Sequence, residues 1–185
     1  MNKFVPFVLA TALASSAQAV QYGLGTSIND SQLYMPINVS ETFRVEPAVY
    51  FSNNESSKDD EYRSSSDRSY VRLTSGFFKL SQLSERTSTF VGSRVGLIRY
   101  DYKSEDNNSR YTSYERGFII EPTVGFEFFP IKNFSISGEA SVYFSRTKET
   151  NSSSYEFSSG ENSNYHDEYS NETGSRTLVS VRMYF

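Results

Sequence analysis

From Val20 onward the chain sets apolar residues at every second position, in block after block. In the clearest block Phe118, Ile120, Pro122, Val124, Phe126 and Phe128 alternate with Gly117, Ile119, Glu121, Thr123, Gly125 and Glu127. Successive side chains of a β-strand point to opposite faces, so this period predicts strands with one apolar and one polar face. Pro130-Ile131-Lys132-Asn133 reads as a turn, after which Phe134, Ile136, Gly138, Ala140, Val142 and Phe144 oppose Ser135, Ser137, Glu139, Ser141 and Tyr143. The same reading predicts eight strands, over residues 20–28, 32–39, 42–52, 69–80, 87–103, 111–129, 134–146 and 176–185. Four places disturb it: Pro36 inside the second, Phe77-Phe78 in the fourth, Ile98-Arg99 in the fifth and Leu178 in the last. Proline cannot donate to a ladder, so the second strand is the weakest of the eight.

The connections add a topology. Residues 53–67, 104–110 and 147–174 hold almost no apolar side chain and read as long solvated loops, whereas 40–41, 81–86 and 130–133 are short. Long and short connections therefore alternate, except that the first, Asn29-Asp30-Ser31, is short where a long one is due. An even strand count, about 10 residues per span and long loops on one side predict an all-β fold, an eight-stranded antiparallel up-and-down transmembrane β-barrel.

The N-terminus changes the picture in one respect. Met1 to Ala19 has an early cation at Lys3, an apolar run from Phe4 to Leu13 and the small-residue pattern Ala17-Gln18-Ala19. That is the form of a secretory signal peptide, leaving residues 20–185 as one barrel domain. Composition narrows the chemistry. The exported chain is acidic, which speaks against nucleic acid, and without cysteine it has neither a disulfide framework nor a thiolate metal site. No cofactor or metal is expected. The 14 Tyr and 15 Phe suit strands and membrane interfaces.

The blocks FRVEPAVYF, GFIIEPTVGFEFFPIKNFSISGEASVYF and the terminal VSVRMYF resemble the outer-membrane protein β-barrel domain family, the small eight-stranded OmpX- and OmpA-like barrels. The resemblance spans essentially the whole exported chain and rests on alternation and turn placement. It implies location in the outer membrane of a Gram-negative cell, contact with membrane lipid and lipopolysaccharide, a monomer, and a role in adhesion, partner binding or envelope integrity. It also implies that Val179, Val181, Met183 and the terminal Phe185 form an assembly signal read by periplasmic chaperones and the barrel-assembly machinery.

On these frames the polar face carries Arg44, Arg72, Arg94 and Arg182 with Glu46, Glu121, Glu127 and Glu139. An eight-stranded interior is just wide enough for side chains to fill it, so these ions are expected to pair as a structural lumen network. A catalytic pair of carboxylates or an ion path is the competing use of the same residue types. Glycines on that face are expected to make room for long Arg and Tyr side chains. Tyr and Phe at strand ends read as membrane-interface anchors. One motif points to an enzyme instead: His166-Asp167-Glu168-Tyr169-Ser170 holds the residue types that lipid A-modifying outer-membrane enzymes use. In a loop it reads as a solvated histidine, and the expected function is a non-enzymatic barrel with a plugged polar lumen.

Overall fold

The computed structural model describes residues 20–59, 63–106, 109–157 and 160–185, so the expected signal peptide lies outside the described residues. Nine strands follow one another: β1 Gln21–Ser27, β2 Gln32–Tyr34, β3 Ile37–Ser40, β4 Phe43–Asp59, β5 Arg63–Ser84, β6 Thr87–Asp106, β7 Ser109–Ile131, β8 Phe134–Phe157 and β9 Gly160–Tyr184. Each pairs antiparallel with its neighbours, and β1 meets β9 from Gly23 opposite Tyr184 to Ser27 opposite Ser180. That last pairing closes the sheet into a ring.

Pro36 explains why nine segments make eight positions. β2 and β3 both pair with β1 on one side and β4 on the other, and they are separated only by Met35 and Pro36. The expected second strand is thus present but cut where a ladder donor is missing.

The three expected loops are corrected. β4 and β5 stay paired out to Asp59 opposite Arg63, β6 and β7 to Asp106 opposite Ser109, and β8 and β9 to Phe157 opposite Gly160. The stretches that read as solvated loops are strands in water, polar on both faces and therefore without any hydrophobic period. A bilayer needs about 9–11 residues of a tilted strand. With 24 and 25 residues, β8 and β9 carry more than half their length beyond it.

At the other end β3–β4, β5–β6 and β7–β8 turn through two residues each. The barrel therefore has a short-turn rim and a rim of tall hairpins. The first hairpin, closed by residues 28–31, belongs to the tall side but stays low. Among the described residues, Tyr165–Arg176 of β9 and Phe51–Ser57 of β4 consequently have no strand on their outer side.

The sidedness is inverted relative to a water-soluble protein. Phe118, Ile120, Val124, Phe126 and Phe128 on β7 are exposed, as are Leu73, Val91, Leu97, Ile136, Val142, Phe144 and Met183 around the ring. An apolar surface of this extent on a closed ring, with charges inside, is the arrangement of a chain solvated by lipid. The other frame disturbances turn out to be ordinary alternation. Phe77 faces lipid while Phe78 is fully buried in the lumen, and Leu178 points inward onto Tyr34 and Ala48.

Candidate functional site: the lumen and the outer rim

The inward residues meet in two charge-balanced groups. In the deeper one Arg94 donates to Glu46 at 2.8 Å and Glu139 at 2.9 Å, and Arg44 donates to Glu127 at 2.6 Å. Arg182 lies 3.2 Å from Glu46, between the carboxylates of Glu127 and Glu139, each 3.9 Å away. Three guanidiniums thus share three carboxylates, and all six residues are buried. Such ions lose water on folding at a cost of several kcal/mol each, and only mutual contact offsets it. Neutral side chains add to the shell: the Tyr184 and Ser135 hydroxyls both donate to Glu127, and the Asn38 amide oxygen accepts from Arg44 at 2.9 Å.

The second group lies toward the tall hairpins and contains two residues absent from the expected set. Arg176 donates to Glu121 at 2.5 Å and approaches Asp30 at 3.4 Å, and Arg72 reaches the same Asp30 at 3.3 Å. Asp30 sits in the short first turn, where the sequence gives it turn chemistry alone. Its side chain is instead drawn in between two arginines. Arg176 shares the even-numbered face with Arg182, a parity that could have placed it in the lumen from sequence. Beyond this group lies a cavity of about 400 Å³, lined among others by Tyr70, Ile98, Tyr100, Glu115, Tyr143 and Glu172.

Aromatic rings pack beside the ions. Phe78 and Phe90 meet edge to face with centroids 5.3 Å apart, and the Arg94 guanidinium stands 4.9 Å from the Phe78 centroid. A Cβ at Gly76 would strike the Phe78 ring and one at Gly125 the Phe90 ring. The expected room for Arg and Tyr is found at Gly25, against Arg182, and at Gly23, against Tyr184, whereas Gly76 and Gly125 admit phenyl rings, which in turn cover the arginines.

Of the expected assembly residues, Val179, Met183 and Phe185 are exposed on the lipid-facing side, Val181 faces Ile136 across the ladder, and Phe185 donates its N–H to the Tyr22 carbonyl at 2.9 Å. His166 is not in a loop. It stands exposed on β9 opposite Asn151, and among the described residues no serine hydroxyl hydrogen-bonds to it. No group of three potential metal ligands exists among the described residues.

The closed ring, lipid-facing belt and charged interior define the class: the fold is that of a small eight-stranded transmembrane β-barrel of the outer-membrane type. Solved structures agree on the fold. A major outer membrane protein from Thermus thermophilus superposes with a TM-score of 0.56 at 11% identity, covering 91% of this chain and 100% of its own. Ail, the attachment invasion locus protein of Yersinia pestis, does so at 0.50 and 10% identity, covering 90% and 93%. No protein-family model and no curated protein matches the sequence.

Proposed function

We propose that this barrel is a non-enzymatic scaffold, plugged by its own ions, whose tall hairpins bind a partner outside the cell. The observation that carries the reading is the pair of unpartnered edges above the low first hairpin, Tyr165–Arg176 of β9 and Phe51–Ser57 of β4. An open edge offers a row of backbone N–H and C=O groups to an added strand. The rigid ladder behind it removes most of the ordering cost of binding. Ail's attachment role, as its name gives it, is consistent with this use of the fold. The plugged lumen supports the same conclusion from the other side, because it leaves the extracellular surface as the place where selection can act.

Residues 1–19 serve in this reading as the export signal. Val179, Val181, Met183 and Phe185 serve as the signal for periplasmic chaperones and the assembly machinery, and deleting Phe185 should lower the amount of heat-modifiable, inserted protein far more than Tyr184→Phe does. The binding reading is tested by replacing residues 148–169 with an Asn-Gly turn, which closes hairpins in this geometry. Cells displaying the full barrel should adhere to cultured host cells or immobilised matrix proteins, and the trimmed barrel should not. Equal adherence of full, trimmed and barrel-free cells would refute it.

A further inference from the structure

The cavity above the second ion group has a neutral floor and an acidic wall. On the floor Arg72 and Arg176 are answered by Asp30 and Glu121. On the wall Glu115 of β7 has no ion-pair or hydrogen-bond partner among the described residues, and Glu172 of β9 accepts from the Tyr143 hydroxyl at 2.7 Å. The neighbouring strands add negative charge instead of relieving it, since Glu149 stands directly opposite Glu115 and Glu168 directly opposite Glu149. Like charges so placed repel across a ladder. Arg68, further along the same face of β5, lies over the Tyr102 ring at 5.2 Å. A space of about 400 Å³, within the range of small-molecule sites, is thus left with two surplus carboxylates.

Their placement selects the shape of what could neutralise them. The row through Glu115 reaches β9 at Glu168, four residues from Glu172, an offset of about 13 Å along the strands. One small ion does not bridge such a pair. Each carboxylate is accompanied by a tyrosine: Tyr100 lies directly opposite Glu115, and Tyr143 is bonded to Glu172. The wall between the two levels is aliphatic. Ile98 pairs with Gly117, midway between Glu115 and Ile119, and Ile119 shares the row of Glu172. A carboxylate beside an aromatic ring suits an ammonium group, which donates to the first and is attracted to the face of the second. Two such ends joined by an aliphatic wall fit a linear amine charged at both ends. A neutral sugar would use the rings but leave both charges unmatched.

We propose that the cavity binds a linear alkyl polyamine, with one ammonium at Glu115 and Tyr100, a second at Glu172 and Tyr143, and the methylene chain against Ile98 and Ile119. The ion groups beneath the cavity close its lower end, so the ligand is held at the mouth of the barrel and does not pass through.

The purified full barrel in non-ionic detergent is titrated with spermidine at low salt and followed by calorimetry. Saturable one-to-one binding is expected. Glu115→Gln and Glu172→Gln should each weaken it about tenfold, and the double variant about 100-fold. Glu85→Gln, in the turn between β5 and β6, should bind as the wild type does. On the wild type alone, butylamine should bind at least about tenfold more weakly than spermidine, because it satisfies one end only.

Undiminished spermidine binding by the double variant, with heat-modifiable mobility intact, would overturn the site, as would a wild type that shows no saturation. Equal weakening by Glu85→Gln would reduce the effect to general attraction of cations to an acidic chain and overturn it likewise. Butylamine binding as tightly as spermidine would overturn the two-ended ligand. Displacement of spermidine by methyl glucoside would reassign the cavity to a neutral sugar.

Discussion

The lower barrel and the tall hairpins are built from the same antiparallel ladder, yet they are held by different forces. In the deeper ion group every guanidinium and carboxylate is buried, and Glu46 alone lies within 4 Å of three arginines, Arg44, Arg94 and Arg182. On the hairpins the comparable contacts stand in water. Glu105 and Arg110 lie 2.7 Å apart but each is more than half exposed, and Lys148 and Asp167 are each about half exposed. A buried ion pair cannot lose one partner cheaply, whereas an exposed pair exchanges it for water at little cost. The interior is thus constrained residue by residue, and the hairpins are free to vary as long as their backbones stay paired.

The strongest way to break this comparison is Glu46→Ala, which strips a shared carboxylate from three buried guanidiniums. It should destabilise the barrel by about 3–5 kcal/mol, read as the urea midpoint of unfolding in micelles. Val142→Arg acts from the lipid side and should cost about 2–4 kcal/mol near the midplane, with insertion yield falling accordingly. Replacing residues 148–169 by a two-residue turn removes far more atoms and should change barrel stability by only about 1 kcal/mol, since the contacts removed stand in water and contribute little. If that trimmed barrel failed to fold in detergent, the hairpins would be part of the folding unit and the comparison would collapse.

The smallest effect sharpens the contrast. Hydrogen bonding to Lys148 holds the Asp167 carboxyl below its usual range, and Asp167 in turn holds the lysine above its own. Lys148→Ala should let the Asp167 pKa rise toward the ordinary carboxylate value in an NMR titration, while the unfolding midpoint stays where it was. A clear drop in that midpoint would show that hairpin pairs are structural after all.

The same contrast governs what the sequence discloses. Burial on one face writes a period of two into residues 117–144, so strand order, sidedness and the ions Arg44, Glu46, Arg94, Glu121, Glu127, Glu139 and Arg182 are legible in the alternation alone, together with the half-buried Arg72. Where both faces are wet the period vanishes, and Thr147 to Gly174 reads as a loop although its backbone is paired throughout the described part. Asp30 escapes because a turn aspartate has a sufficient local reason to be there, and only the low first hairpin folds it between Arg72 and Arg176. Phe78 and Phe90 escape for a related reason: an aromatic residue in a membrane barrel reads as an interface anchor, but these two pack over glycines inside the lumen.

The central claim is that the ions of the deeper group close the lumen against one another. Planar-bilayer recording of the purified full chain tests it most directly. With Arg44, Arg94 and Arg182 held across the interior by Glu46, Glu127 and Glu139, the bilayer should stay at baseline with no steady unitary current. Stable, voltage-independent single-channel steps from the wild type would contradict the account and make the barrel a small pore.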